Sequence, residues 1–70
     1  MKTDTEAEYY TALEIQIIRL IAKEKPNKEI ARELNYSQRN IEYNISKLCR
    51  KMNVHTRVGI IAKAYKRDII

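Results

Sequence analysis

Apolar side chains recur every three or four residues along most of the chain, and few segments alternate between apolar and polar positions. This spacing predicts amphipathic helices and argues against strands. The four predicted helices are Thr11–Lys25, Asn27–Leu34, Ser37–Asn53 and Thr56–Arg67. We therefore expect an all-α fold, a four-helix bundle formed by residues 10–70, preceded by a polar, flexible N-terminal tail over residues 1–9.

The apolar stripes of the four helices should meet in one core. The predicted core residues are Leu13, Ile17, Leu20, Ile21, Ile30, Ala31, Leu34, Ile41, Ile45, Leu48, Met52, Ile60 and Ala64. The second helix is only two turns long and needs its neighbours for stability. Asn35 suits the left-handed conformation that closes a helix, and Ser37 is a good N-cap for the next one. A short helix, a tight turn and a longer helix form a helix-turn-helix.

The third helix has a basic face opposite its core stripe. At about 100° per residue, this face carries three cations, no acid and several hydrogen-bonding groups. Its members are Arg39, Tyr43, Ser46, Lys47 and Arg50, with Asn40 beside them. A major groove about 12 Å wide accepts such a helix, and these side chains can reach base edges and phosphates. An ordinary solvated face is the alternative, but the helix-turn-helix context favours DNA.

Glu42 lies at the border of this basic face. Its carboxylate can accept a hydrogen bond from cytosine N4. Alternatively, it pairs with a nearby arginine, which is the interpretation we favour.

Composition narrows the function classes. The 70 residues carry 14 basic and 9 acidic side chains, for a net charge of +5. Three of the acids lie in the first eight residues, so the rest of the chain is more basic still, as expected of a polyanion binder. One cysteine excludes an internal disulfide, and no apolar run approaches the roughly 20 residues of a membrane span. With no signal peptide at the acidic N-terminus, we expect a cytoplasmic protein without a membrane partner.

The sequence does not predict an enzyme. His55 has no metal-ligand spacing to Cys, Asp or Glu, and Cys49, at the edge of the core, has no base beside it for nucleophilic catalysis. Glycine-rich phosphate loops and paired carboxylates are also missing from the sequence. We therefore expect no metal, no cofactor and no small-molecule ligand.

Three segments in register resemble the LuxR/GerE family of bacterial regulators. They are NKEIAREL at 27–34, SQRNIE at 37–42 and KMNVHTR at 51–57. The family consists of four-helix helix-turn-helix domains of response regulators and quorum-sensing activators. The resemblance therefore implies a sequence-specific DNA-binding transcription regulator that inserts its third helix into the major groove of double-stranded DNA. RNA polymerase is a further candidate partner.

The resemblance also implies roles for individual residues. Bases would be contacted by Asn40, Glu42, Tyr43, Ser46 and Lys47, and phosphates by Lys28, Arg39 and Arg50. Glu42 replaces a common base-reading lysine, which points to a different target sequence. Other departures are Tyr10 for Leu, Glu24 for Gly, Pro26 for Ser or Thr, and Asp68 for Gly. Glu14 faces the apolar side of the first helix, and the resemblance implies a structural salt bridge to Arg57.

The fourth helix is apolar over more than half its circumference. Besides its core stripe it carries a second apolar set, which the resemblance assigns to a homodimer interface: Val58, Ile61, Ala62, Tyr65 and Ile69. Alternatively, both stripes pack inside one chain. A further alternative for function is a protein-interaction module that uses this helix and has no specific affinity for DNA.

Overall fold

The computed structural model describes residues 9–70, which form four helices and no strand. Their bounds are Ala12–Ala22 (α1), Asn27–Leu34 (α2), Gln38–Met52 (α3) and Arg57–Lys66 (α4). The all-α prediction is confirmed, and α2 has the predicted limits. Of the predicted tail, residues 1–8 lie outside the described part of the chain.

Three of the four helices begin at a hydroxyl side chain. Thr11 accepts a hydrogen bond from the Glu14 backbone N–H at 3.1 Å, while the Glu14 carboxylate accepts from the Thr11 N–H at 2.9 Å, which completes a capping box. Ser37 and Thr56 accept from backbone N–H groups three residues ahead, each at 3.0 Å. These caps set where α1, α3 and α4 start. Helix α2 instead follows Pro26, which provides no side-chain cap.

All four helices close at a residue in the left-handed conformation. The residues are Glu24, Asn35, Asn53 and Asp68, with φ between 56° and 65°. At the end of α1, the Lys25 N–H donates to the Leu20 carbonyl at 3.1 Å, the signature of a Schellman closure. Helix α1 therefore ends at Ala22 and not at the predicted Lys25. Glu24 occupies a conformation that glycine adopts at less cost, which fits the family's frequent glycine there.

The core combines the predicted stripes with three additions, Tyr10, Ile18 and Ile69. Fully buried side chains are Ile17, Ile18, Ile30, Ile41, Leu48 and Ile60. Ile18 was not predicted, and Leu13 and Ile45 are only half-buried. Ile69 is 5% exposed because the chain reverses at Asp68 and the Ile69 N–H donates to the Ala64 carbonyl at 2.8 Å. The assignment of Ile69 to a dimer interface was therefore wrong, since this residue completes the chain's own core.

Two side chains of α4 tie this helix to the rest of the fold. Lys63 Nζ donates to the Met52 carbonyl at 3.0 Å and so caps the C-terminus of α3. The Arg57 guanidinium donates to Asn27 Oδ1 and to the Lys25 carbonyl, in the connection between α1 and α2. Helix α4 thereby fixes both partners of the helix-turn-helix relative to α1. None of the helices within residues 9–70 is long and apolar enough to cross a membrane.

Replacing Gly59 by alanine is expected to destabilise the chain, although alanine normally favours a helix interior by about 0.5–1 kcal/mol. A Cβ atom at position 59 would lie 2.9 Å from Val54 Cβ, which is anchored close to the backbone and cannot move freely. The rearrangement that relieves this overlap should cost about 1–2 kcal/mol. This cost exceeds the gain from the helix propensity of alanine. Urea unfolding would show whether the free energy of unfolding falls or rises. The control is Ala62→Gly, the opposite substitution at an exposed position of the same helix. A more stable Gly59→Ala variant would contradict the expectation.

Candidate nucleic-acid interface

The predicted basic face lies on the solvent side of α3. Tyr43 is 58% exposed, and Arg39, Asn40, Ser46 and Arg50 are exposed as well. Lys28 is exposed in the first turn of α2. Within residues 9–70, the cations at 28, 39 and 50 form no ion pair with a carboxylate. Three unneutralised cations on an accessible helical surface provide an electrostatic site for a polyanion.

Lys47 differs from the other predicted contacts because it is half-buried. Its Nζ lies 5.6 Å from the centroid of the Tyr43 ring, a cation–π contact that holds the two side chains together. Lys47 is therefore less exposed than Arg39 and Arg50, the other two cations of the basic face.

Glu42 is not paired with an arginine, contrary to the interpretation favoured from the sequence. Its carboxylate accepts a hydrogen bond from Gln38 Nε2 at 3.3 Å, one turn earlier on the exposed side of α3. The arginines of the described chain make no ion pair with it. The negative charge of Glu42 is thus retained on the face, where a neutral amide leaves it free to accept a further hydrogen bond.

A buried amide, missed by the sequence analysis, supports the start of this face. Asn44 is 7% exposed and lies in the core register of α3, between Ile41 and Leu48. Its Nδ2 donates to the Asn40 backbone carbonyl at 2.9 Å and to Asn40 Oδ1 at 2.8 Å. The helical register alone could have revealed a polar side chain in the core stripe, although not its partner.

Glu14 pairs with Lys51 and not with the predicted Arg57. Lys51 Nζ lies 2.9 Å from Glu14 Oε1, and the carboxylate is 2% exposed. Arg57 is engaged with Asn27 and Lys25 instead, so α3 and not α4 supplies the compensating charge. The same Nζ lies 4.6 Å from the ring centroid of Tyr9 and 4.8 Å from that of Tyr10. Lys51 thus joins the N-terminal segment, α1 and α3.

The surroundings of Glu14 act on its pKa in opposite directions. Burial by itself raises the pKa, since it disfavours the charged carboxylate. The Lys51 hydrogen bond, the Thr11 N–H and the charges of Lys51 and Lys47 outweigh this effect, so the pKa of Glu14 is lowered. The group is therefore an ionised structural carboxylate at neutral pH.

The second apolar stripe of α4 is largely exposed. Val58 is 76% and Tyr65 60% exposed, Ala62 is exposed and Ile61 is half-buried. Their spacing places all four on one helical face. This face adjoins an apolar groove formed with the end of α1 and Pro26. The alternative in which both stripes pack inside one chain therefore holds for Ile69 and in part for Ile61, which packs against the core, but not for Val58, Ala62 and Tyr65.

The two remaining candidate groups, His55 and Cys49, line one cavity beside the C-terminal half of α3. His55 is exposed in the loop before α4, and Cys49 is a half-buried free thiol. Among the residues that the structure describes, no three His, Cys, Asp or Glu side chains are grouped so that they could hold a metal ion.

The short α2, its three-residue turn and the solvent-facing α3 define a helix-turn-helix protein of the four-helix class. Residues 9–64 match the family model of bacterial regulatory proteins, luxR family. The chain belongs to this family, as the resemblance of its motifs predicted.

Two curated relatives are response regulators by name. Over 65 residues the chain is 38% identical to the nitrate/nitrite response regulator protein homolog of Haemophilus influenzae, an alignment that covers 93% of this chain and 31% of the relative. It is 34% identical over 59 residues to the uncharacterized response regulatory protein YgeK of Escherichia coli, covering 84% of this chain and 40% of the relative. The chain thus spans 31% of the length of the first relative and 40% of the second. No solved structure matches it significantly.

Proposed function

We propose that the chain is a sequence-specific DNA-binding module of a transcription regulator, which inserts the N-terminal part of α3 into the major groove. The observation that carries the proposal is the exposed, cationic and hydrogen-bonding face of α3, presented by α2 and the intervening turn. Lys28, Arg39 and Arg50 would contact phosphates. The base edges would be contacted by Asn40, Glu42, Tyr43, Ser46 and Lys47. Membership of the luxR family and the names of the two relatives support this role.

We further propose that the module acts as a homodimer through α4. Support comes from the exposed stripe of Val58, Ile61, Ala62 and Tyr65, which is larger than the single chain needs for its own core. A two-fold contact between two copies of this stripe would place two α3 helices on one side of the duplex, about one helical turn apart. RNA polymerase stays a candidate partner of the DNA-bound regulator.

DNA selection with the purified chain at about 150 mM salt tests the proposal under near-physiological screening. Enrichment of two-fold-related half-sites about one turn apart is the expected result. A single enriched half-site would retain DNA recognition and contradict the α4 dimer. Binding without sequence preference, fading as salt rises, would overturn the proposal and favour the protein-interaction module suggested by the exposed α4 stripe.

Replacing Glu42 by glutamine is expected to change the preferred base at one position of the selected site. A carboxylate only accepts and suits cytosine N4, whereas glutamine both donates and accepts and suits adenine. We expect the parent to favour cytosine there by about tenfold and the variant to lose or reverse this preference. Gln38→Ala is the control, because it removes the partner of Glu42 but keeps the carboxylate. An unchanged base preference in Glu42→Gln would place Glu42 away from the bases.

A further inference from the structure

The first turn of α3 contains an amide whose orientation is determined by a buried neighbour. The Asn40 side chain is exposed, whereas Asn44, one turn later, is 7% exposed and lies in the core register. Residues at the N-terminal end of a recognition helix are those that reach base edges in helix-turn-helix complexes. The way in which Asn40 presents its two amide atoms therefore bears directly on base choice.

The orientation follows from the hydrogen-bonding rules of amides. The Asn40 backbone carbonyl can only accept, so the Asn44 atom 2.9 Å from it must be the donor Nδ2. This Nδ2 also meets an atom of the Asn40 side chain at 2.8 Å, and that atom must accept, so it is Oδ1. The Asn40 Nδ2 consequently lies on the other side of its amide from Asn44 and has both of its N–H donors available.

We infer that Asn44 is a positioning residue for specificity, which makes Asn40 a donor in the major groove and thereby selects guanine over adenine. Guanine presents two acceptors there, O6 and N7, whereas adenine presents N7 and the donor N6. An asparagine free to rotate can bond adenine with both amide atoms, whereas here the bond from Asn44 holds Oδ1 toward its own helix and leaves Nδ2 on the opposite side of the amide. The inference rests on the proposed function and specifies the base edge that the proposed interface recognises.

The DNA-selection experiment also tests this inference, through the base preference at a single base pair. Comparing the parent with Asn40→Ala identifies the pair that Asn40 contacts. We expect the parent to favour guanine over adenine there by about tenfold. In Asn44→Ala the preference should fall to about threefold or less. In Asn44→Asp the new carboxylate accepts from Asn40 Nδ2 and turns Oδ1 outward, so the preference should reverse toward adenine.

Two controls separate this role from a general structural one. Gln38→Ala removes another side-chain hydrogen bond between residues four apart on α3 and should leave the guanine preference unchanged. The other positions of the selected site should keep their preferences in Asn44→Ala, since loss of structure would weaken all positions together. If Asn44→Asp does not fold, Asn44→Ala decides alone. An intact guanine preference in folded Asn44→Ala, or an adenine preference in the parent, would overturn the inference.

Nuclear magnetic resonance of the DNA-free chain tests the orientation independently of DNA binding. The Asn44 side-chain N–H groups should exchange with water at least about tenfold more slowly than those of Asn40, because only the former are bonded and buried. Equal exchange would overturn the inference even if the chain binds DNA. If the parent selects no DNA motif while the exchange difference is found, the proposed function fails and the geometry of the pair stands.

Discussion

Lys51→Met is expected to lower the free energy of unfolding by about 2–3 kcal/mol. Its physical reason is that the substitution leaves Glu14 as a buried carboxylate without its cation, the arrangement that makes a broken ion pair costly. The contacts of Lys51 with the Tyr9 and Tyr10 rings are lost as well. For a chain of this size the melting temperature should fall by on the order of 10 °C.

Chemical denaturation and thermal melting would measure this effect, with the exposed Lys66→Met as the matched control. Adding Glu14→Gln to Lys51→Met should recover part of the lost stability, since a neutral amide costs less to bury than an unpaired carboxylate. A Lys51→Met chain within about 0.5 kcal/mol of the parent, the usual range for surface substitutions, would show that the Thr11 N–H alone satisfies Glu14.

The ion pair between Glu14 and Lys51 makes the stability of the chain depend on pH. The pKa of Glu14 is lower in the folded chain than its ordinary value of 4.5, so the unfolded chain takes up this proton first as the pH falls. The contribution of the ionised Glu14 to stability is complete at pH values above 4.5 and is lost as the pH falls through the lowered pKa. The parent should therefore lose more stability between neutral pH and pH of about 3 than Glu14→Gln does. Parallel curves for the two proteins would contradict the role of Glu14.

The triple variant Lys28→Ala, Arg39→Ala, Arg50→Ala is expected to bind all DNA sequences about 100-fold more weakly per domain at physiological salt. Each lost phosphate contact removes about 0.9 from the slope of log affinity against log salt, which is about fivefold near 0.15 M. The slope should therefore become shallower by about 3. All three side chains are exposed and lie outside the core, so folding should be nearly unaffected.

Titration of labelled duplexes at several salt concentrations would measure both the affinity for DNA and its dependence on salt. The control removes the same three charges elsewhere on the surface, through Arg19→Ala, Lys23→Ala and Lys66→Ala. If both triple variants weaken binding equally, only the net charge of the chain matters, and the docking of α3 in the groove is wrong. Retained base preferences at reduced affinity are the expected signature of lost phosphate contacts.

Helical periodicity predicted the four helices, most of the core and the solvent side of α3, because each depends on residues close together in sequence. Periodicity does not encode which side chains meet across helices. Glu14 and Lys51 are 37 residues apart, and their contact depends on how α1 packs on α3. The buried Asn44 was not predicted, although its place in the core register of α3 is readable from the sequence.

Chain reversals were the other source of error. The end of α1 and the burial of Ile69 both follow from a left-handed residue, Glu24 in one case and Asp68 in the other. Neither glutamate nor aspartate predicts a reversal as strongly as glycine does. These positions match a family pattern that often has glycine, so the departures from that pattern coincide with the places where helix ends were misjudged.

Closing four helices on left-handed residues without glycine affects the unfolded chain as well as the folded one. Each such residue other than glycine costs the native state about 1–2 kcal/mol. Glycine would avoid that cost but would add conformational freedom to the unfolded ensemble, which opposes folding. With a single glycine in 70 residues, the chain has comparatively little backbone entropy to lose when it folds. The reduced freedom of the unfolded chain thus offsets part of the strain at the four helix ends.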